Sequence, residues 1–361
     1  MSDVLANAHS IPDGLPWALI GPTGVTGRMI LERALALGYR PRLIGRDPAK
    51  LAALAAPSQL DWVAVDLRDR TALQQALAGQ RLVLNAAGPF ATTAPLVIAA
   101  ALGAGIDYLD LNGELSALEA MFEQDAAARS AGVALVGGVG FGIAASDGLA
   151  MQVSARLGGA EWMRIAVAAD SGFGSPAVAE STVAVIAGGG REVRAGAIVR
   201  RKLARGRWRE TGPDGIRHPF ASAPLADLAA ARRATGTRRI IAGVPMAHNQ
   251  ARLLSVIAPL LPTLLKLPPV RRAMAQAGGG HAGAVKTAFQ SHVWIMAGRG
   301  KATETARLDA GEGFATTVDI AMAAIAWTLA QRPTAGAHSP ATAFGADFIS
   351  AIPGISIRFG Q

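Results

Sequence analysis

Three glycines near the start of the chain have a spacing suited to binding a diphosphate. Gly21, Gly24 and Gly27 follow an apolar run at residues 17–20, and an apolar pattern at helical spacing begins after Arg28. A strand, a glycine turn and a helix in this order let backbone N–H groups approach phosphates, with the positive end of the helix dipole directed at them. This context favours dinucleotide binding over an ordinary strand-to-helix turn. The predicted pyrophosphate contacts are Gly21, Thr23, Gly24, Val25 and Gly27.

The loop after the second predicted strand carries the charges that would choose between two dinucleotides. The strand is residues 41–45, and the loop contains Arg46, Asp47 and Lys50. A carboxylate here would bind the ribose 2′-hydroxyl of NAD and repel a 2′-phosphate, whereas a guanidinium would pair with that phosphate. We predict NADP(H) as the cofactor, bound by Arg46 and Lys50. The alternative is that Arg46 is a solvated loop charge and that Asp47, which is also placed to cap the next helix, binds the ribose.

Two further strand ends supply expected cofactor contacts. Asp66 follows the third predicted strand, where it could accept from the adenine amino group or cap the next helix. Ala87 and Gly88 follow the fourth strand. Small residues at this position suit a cofactor that crosses the sheet where the strand order reverses. We therefore expect Ala87 and Gly88 to contact the cofactor, and Gly88, Pro89 and Phe90 to lie near the nicotinamide.

The fifth predicted strand carries polar side chains at alternate positions. They include Tyr108, Asp110 and Glu114, which share one face if the strand persists. Hydride delivery by a nicotinamide leaves a product that must be protonated or stabilised. We predict Tyr108 as the proton donor, with Asp110 or Glu114 tuning it or donating in its place. The alternative is that Tyr108 is a packed strand residue with a satisfied hydroxyl and that the carboxylates cap the helix after Gly113.

Composition limits the remaining classes of function. The chain has 361 residues, of which 51% are hydrophobic, so we expect a globular protein of about two domains. There is no cysteine, and the six histidines are scattered, so we predict no metal site. The net charge is +9, but no nucleic-acid-binding motif accompanies it, and we expect no nucleic-acid partner. The first residues do not form a secretory signal, and we expect a cytoplasmic protein.

The order of predicted elements places these residues in an α/β fold. Strands and helices alternate from residue 17 to residue 157, which predicts a doubly wound, Rossmann-type parallel sheet. The pattern then changes to hairpins and helices, typical of an α+β domain. A long apolar helix at 313–331 is expected to return to the first domain. We predict a dinucleotide-binding domain at 1–157, an inserted substrate and dimerisation domain at 158–311, a C-terminal return at 312–361, and a homodimer.

Two stretches of the second domain suggest partners. A hairpin rich in arginine at residues 200–209 is either a solvated face or a docking surface for an acidic acyl carrier protein or a coenzyme A phosphate. The apolar run from Leu253 to Leu267 contains two prolines and is too short to span a bilayer. We interpret it as a helical hairpin, with peripheral membrane contact as the alternative.

Five motifs carry a resemblance to a known family. They read GPTGVTGR at 21–28, GRDPAKL at 45–51, NAAGPF at 85–90, YLDLNGE at 108–114 and GVGFGIAASD at 138–147. The chain resembles the saccharopine dehydrogenase-like superfamily, and within it the trans-acting enoyl reductases. Weaker matches at 233–240, 311–317 and 338–345 extend the resemblance over most of the chain.

The resemblance implies an NADP-binding Rossmann domain, an inserted substrate domain and hydride transfer to a small-molecule substrate. The loop after Phe141 departs from the family pattern because it lacks a proline before Ser146 and Asp147. Saccharopine-forming enzymes bind a multiply charged adduct, and we identify no matching arginine cluster in the sequence. We therefore expect an apolar or acyl-type unsaturated substrate. A saccharopine-type imine or amino-acid dehydrogenase, and a non-catalytic NADP-binding sensor or scaffold, are the alternatives.

Overall fold

The computed structural model describes residues 15–169, 189–212, 215–257 and 291–360. The chain divides into two compact units. The first comprises Met1–Ala144 and Phe314–Pro353, and the second comprises Ala145–Gly313 and Gly354–Gln361. The division therefore falls inside a helix, earlier than the predicted domain boundary at residue 157, and the second unit also includes the last residues of the chain.

The secondary structure of the described residues is as follows. The strands are β1 (Trp17–Ile20), β2 (Arg42–Gly45), β3 (Trp62–Ala64), β4 (Leu82–Asn85), β5 (Asp107–Asp110), β6 (Ala134–Val136), β7 (Trp162–Ala169), β8 (Gly190–Arg194), β9 (Ala197–Arg201), β10 (Arg207–Thr211), β11 (Arg217–Ser222), β12 (Arg239–Pro245), β13 (Ser291–Arg299), β14 (Ala302–Ala310), β15 (Gly336–His338) and β16 (Ser356–Phe359). The α-helices are α1 (Val25–Ala36), α2 (Pro48–Ala55), α3 (Arg70–Leu77), α4 (Phe90–Ala104), α5 (Leu115–Phe122), α6 (Asp125–Ala131), α7 (Phe141–Arg156), α8 (Asp227–Thr235), α9 (His248–Ile257), α10 (Gly313–Gln331) and α11 (Pro340–Phe344).

The first unit is built on a seven-stranded sheet in the order β15-β6-β5-β4-β1-β2-β3. All its neighbouring strands are parallel. The inner strands β1, β4 and β5 are buried along their whole length, as expected for strands covered on both faces. The strand order reverses between β1 and β4, where doubly wound sheets bind their ligands. The predicted fold class is confirmed.

The second unit contains a nine-stranded mixed sheet that includes the path β10-β11-β12-β7-β13-β14-β16. Strands β7 and β12 are parallel, and the other pairs are antiparallel. Strand β16 pairs with β14, so Ser356–Phe359 belongs to this sheet. We expected all of 312–361 to return to the first unit, but only Phe314–Pro353 does so.

Helix α10 is the one described helix that is long and apolar enough to cross a membrane, with 19 residues and a mean hydropathy of 1.4. However, 67% of its apolar window is buried inside the protein, as in a core helix. Most of the apolar run from Leu253 to Leu267 lies outside the described residues. The described part of that run belongs to α9 and leaves Leu253 and Val256 exposed. The predicted membrane contact stays a prediction.

Candidate functional site

The turn between β1 and α1 is packed so closely that it requires glycine. Gly21 has a φ of +79°, and a Cβ atom there would lie 3.0 Å from the Cβ of Ala87. A Cβ atom on Gly27 would lie 2.1 Å from the carbonyl oxygen of Gly21. Gly24 is the N-cap residue of α1, and its amide donates to the same oxygen over 3.2 Å. The turn therefore places backbone that no side chain covers at the carboxyl ends of the parallel strands.

No described side chain caps the N-terminus of helix α1, and its first turn contains no acidic residue, whereas the next three helices are capped by carboxylates. Asp47 caps α2, and Asp69 caps α3. At α4, the carboxylate of Glu114 accepts the N–H groups of the first two residues. Free N–H groups and the helix dipole make an uncapped N-terminus an anion site. The residues present thus fit a pyrophosphate at α1, beside Val25, which is 59% exposed.

The tip of β2 carries three charged side chains, of which two are partnered. Asp47 accepts the N–H groups of Ala49 and Lys50, and the bond from Lys50 is the main cause that lowers the Asp47 pKa. The ammonium of Lys50 lies 3.5 Å from the Asp47 carboxylate. Within the described part of the chain, exposed Arg46 has no hydrogen bond or ion pair. The guanidinium of Arg46 is therefore free to bind an added anion.

Asp66 is exposed after β3, and its Oδ1 accepts the N–H of Arg68 over 3.0 Å. The cap of α3 is Asp69, whose Oδ1 accepts the N–H of Ala72. The alternative role of Asp66 as a helix cap is therefore wrong, because Asp69 already occupies that position. Its contact with adenine stays a prediction.

The backbone of the loop after β4 is held by two side chains, Asn85 and Thr93, that were not among the predicted site residues. The Oδ1 of Asn85 accepts the N–H of Ala87 over 3.0 Å. The hydroxyl of Thr93 donates to the carbonyl oxygens of Ala87 and Pro89, and the Gly88–Pro89 peptide bond is cis. In the sequence, the position of Asn85 at the start of the motif NAAGPF was the feature that pointed to this role.

Tyr108 and Asp110 lie together beneath this loop. The Tyr108 hydroxyl donates to Oδ2 of Asp110 over 2.8 Å and accepts from the amide of Asn85 over 3.4 Å. Both Tyr108 and Asp110 have no exposed surface. Oδ1 of Asp110 accepts the N–H groups of Asn112 and Gly138. The alternation along β5 thus brings these two residues together as predicted, in a buried network.

Burial has the largest effect on the pKa values of Asp110 and Tyr108. It raises the pKa of Asp110 to about 6, although the N–H groups that bind the carboxylate oppose the shift. Burial, followed by the charge of Asp110, raises the pKa of Tyr108 well above its usual range. At neutral pH the phenol therefore keeps its proton and donates it in a hydrogen bond. The geometry favours the packed interpretation of Tyr108, and its role as proton donor stays a prediction.

Glu114 does not join the pair, because β5 ends at Asp110. Its two carboxylate oxygens accept the N–H groups of Phe90 and Ala91 over 2.9 and 2.8 Å. It was expected either beside Tyr108 or as a cap of the helix after Gly113. It is the N-cap residue of that helix, α5, but its side chain makes no cap hydrogen bond there and binds the N-terminus of α4, which precedes it in the chain. Among the described residues, no group of three His, Asp or Glu side chains could bind a metal ion.

Comparisons with known proteins agree with this geometry. Residues 21–123 match the family model described as NAD(P)H-binding. The chain is 29% identical over 119 residues to a probable mitochondrial saccharopine dehydrogenase-like oxidoreductase of Arabidopsis thaliana, covering 28% of this chain and 26% of that protein. It is 32% identical over 104 residues to a trans-acting enoyl reductase of Mycobacterium tuberculosis, covering 27% and 25% of the two chains. The matches thus span about a quarter of the length of these curated relatives.

The fold is similar to that of a solved structure over almost the whole chain. Apo saccharopine dehydrogenase (L-Glu forming) from Saccharomyces cerevisiae superposes with a TM-score of 0.62 at 14% sequence identity, covering 96% of this chain and 100% of that chain. These findings confirm the resemblance inferred from the motifs. Residues 21–123 form an NAD(P)H-binding domain, and the chain has the fold of saccharopine dehydrogenase.

Proposed function

We propose that the protein is an NADPH-dependent oxidoreductase that reduces an unsaturated, apolar or acyl-type small molecule. The observation that carries this proposal is the pairing of an uncapped α1 N-terminus with an unpartnered Arg46 at the tip of the next strand. These are the two features that an NADP pyrophosphate and ribose 2′-phosphate require. When bound, the nicotinamide supplies the hydride.

The residues of the first unit have distinct tasks in this proposal. The glycine turn of residues 21–27 presents N–H groups to the pyrophosphate, and Arg46 selects the phosphorylated ribose. Ala87 and Gly88 leave room for the nicotinamide ring, and Asn85 and Thr93 fix the backbone of that loop. Binding and orientation are what a protein contributes to cofactor chemistry.

We propose a positioning role for the buried pair. A continuous series of hydrogen bonds joins Asp110 to Tyr108, Tyr108 to Asn85, and Asn85 to the N–H of Ala87. The Tyr108 hydroxyl orients the Asn85 amide, which in turn fixes the loop that would face the nicotinamide. A proton donor must reach the substrate, and full burial keeps the Tyr108 hydroxyl from solvent in this structure.

A saccharopine-type imine or amino-acid dehydrogenase is the second candidate. The Arabidopsis relative favours it, whereas the Mycobacterium relative favours an enoyl reductase. The solved structure is 14% identical and shares the fold alone, so it favours neither substrate.

The deciding experiment is a pair of measurements on the full chain. Titration with NADPH and with NADH, followed by nicotinamide fluorescence, should show saturable binding and a preference for NADPH. NADPH oxidation is then assayed with enoyl thioesters and with 2-oxo acids plus amines. Turnover of the first group supports the proposal, turnover of the second supports the dehydrogenase, and tight binding without turnover supports a sensor. Absence of binding, or a preference for NADH, contradicts the proposal.

An acidic acyl carrier protein is the partner we propose for the acyl-type substrate. Exposed cationic side chains cluster around the turn between β9 and β10 and along β10: Arg200, Lys202, Arg205, Arg207 and Arg209. Opposite charge would speed encounter, and the effect would fall with added salt. A binding rate that does not change with ionic strength would contradict this partner.

A further inference from the structure

A cavity of about 490 Å³ in the second unit brings together arginines from separate parts of the chain. Arg164 comes from β7, Arg194 and Arg201 from the hairpin β8–β9, and Arg239 from β12. The described lining carries these four guanidinium groups and one carboxylate, that of Glu192. We call this site the arginine cavity. Its volume is in the range of small-molecule binding sites.

The carboxylate of Glu192 is fully occupied by two of these arginines. It is buried, and one oxygen accepts from Arg194 while the other accepts from Arg201. Arg164 has a carboxylate at 3.5 Å, that of Glu210, which is not part of the cavity lining. Positive charge in and around the arginine cavity therefore exceeds negative charge.

The excess positive charge leaves a buried guanidinium donor without an acceptor. The Nε atom of Arg201 is buried and has no hydrogen-bond partner in the described structure, whereas the Nε atom of Arg164 lies 3.5 Å from the Glu210 carboxylate. Burial, together with the charge of Arg205, lowers the pKa of Arg201. Arg239 is exposed at the rim and makes no hydrogen bond or ion pair with described residues. An anion in the cavity would reduce this repulsion and supply the missing acceptor.

A second cavity, of about 630 Å³, adjoins the first. It shares Arg194 and Arg239 with the arginine cavity and adds Arg238 and one carboxylate, that of Glu161. We propose that these two neighbouring cavities bind the phosphate groups of a small organic phosphate or diphosphate. A phosphate group concentrates roughly 1.5 to 2 negative charges on a few oxygens, whereas a carboxylate offers one, so phosphate matches several arginines better.

All residues of the proposed site belong to the second unit, whereas those of the dinucleotide site belong to the first. The proposed site also differs from the exposed arginines of the neighbouring hairpin. Arg200, for example, lies beside Arg201 on β9 but does not line either cavity. The inference does not rest on the proposed reduction, since binding is measured without turnover.

The test is calorimetric titration of the full chain with inorganic pyrophosphate and with coenzyme A at low ionic strength. NADP⁺ is left out, because its own phosphates would compete for the arginine cavity, and binding at the glycine turn is recognised because Arg239→Ala does not change it. We expect both probes to bind. Arg239→Ala should weaken binding by about tenfold or more, and the matched charge change Arg200→Ala should alter it by less than about twofold. Arg239→Ala should fold normally because Arg239 has no partner to lose.

The two probes also distinguish the source of the phosphate. Tighter binding of coenzyme A than of pyrophosphate indicates that the organic part occupies the cavity, and equal affinities indicate that phosphate alone is bound. Failure of both probes to bind would overturn the inference. Equal effects of the two variants, or equally tight binding of the dicarboxylate glutarate, would overturn it as well. If NADPH fails to bind in the nicotinamide titration, the proposed function fails, but the comparison of Arg239→Ala with Arg200→Ala still tests the arginine cavity.

Discussion

Gly27 packs against the carbonyl oxygen of Gly21 so closely that a Cβ atom on Gly27 would lie 2.1 Å from that oxygen. This contact joins the first turn of α1 to the end of β1. It fixes the direction in which the N-terminal N–H groups of the helix point. A side chain at this position must therefore push the helix away from the strand.

We expect Gly27→Ala to lower the free energy of unfolding by about 1–3 kcal/mol through overpacking, and to abolish NADPH binding. Gly24→Ala is the matched control, because a Cβ there would lie at an ordinary 3.5 Å from the nearest atom and Gly24 has a φ of −75°. It should cost about 0.5–1 kcal/mol, because alanine is a poorer N-cap residue than glycine. Urea unfolding and nicotinamide titration measure both effects. Equal stability of the two variants would contradict the prediction.

Arg46 should decide the preference between the two dinucleotides. We expect Arg46→Ala to weaken NADPH binding by about tenfold or more and to leave NADH binding unchanged, because only NADPH carries the 2′-phosphate. Lys50→Ala should have a smaller effect, since Lys50 already pairs with Asp47. Equilibrium titrations with both nucleotides test this. A parallel loss of affinity for NADH would exclude recognition of the 2′-phosphate by Arg46.

Tyr108→Phe separates positioning from proton donation. The variant removes the donor to Asp110 and the acceptor of the Asn85 amide, so the free energy of unfolding should fall by about 1–3 kcal/mol. In the positioning role, kcat should fall by less than about tenfold and its pH profile should keep its shape. A decrease of roughly 10²–10⁴-fold in kcat would instead indicate that Tyr108 is the proton donor.

Asp110 should make stability depend on pH between 5 and 7. Its pKa is about 6 in the folded protein, above its ordinary value. A carboxyl with a raised folded-state pKa adds stability at low pH, and that stability is lost as pH rises through the folded pKa. Relative to Asp110→Asn, which does not titrate, the wild type should lose about 1 kcal/mol from pH 5 to pH 7. Urea unfolding of both proteins at several pH values checks this, and parallel curves would contradict it.

The side chain of Glu114 should stabilise α4 by direct hydrogen bonds, although Glu114 lies outside that helix in the sequence. Removing its carboxylate leaves the N–H groups of Phe90 and Ala91 without acceptors, so Glu114→Ala should cost about 1 kcal/mol. Glu123→Ala makes the same charge change at an exposed residue and should be close to neutral. Thermal unfolding of the two variants gives the comparison. A neutral Glu114→Ala would show that the cap adds nothing to stability.

The elements that the sequence predicted well are those with strong local patterns. Strands β1 and β4 are short apolar runs buried on both faces, and the glycine turn follows directly from its spacing. Helix α10 begins and ends at Gly313 and Gln331, the residues expected from its apolar periodicity. In each case the residues that make the sequence pattern are the same residues that form the strand, turn or helix.

The features that were missed depend on contacts between distant residues. Strand β16 is a short edge strand whose Phe359 pairs with Ala306, and no local pattern marks it. The cap of α4 comes from Glu114, 24 residues after Phe90. The arginine cavity gathers side chains from β7, β8, β9 and β12, which a search for local clusters cannot detect. The failure to identify an arginine cluster in the sequence, which led us to expect an apolar substrate, is corrected by this cavity.

The division of the chain has a consequence for biosynthesis. Each unit is completed by a segment that follows residue 313, Phe314–Pro353 for the first and Gly354–Gln361 for the second. Neither unit can therefore finish folding before these segments have been made, and both must be protected until then. A nascent chain cut short before Gly354 would leave one edge of β14 unpaired, which is a template for aggregation.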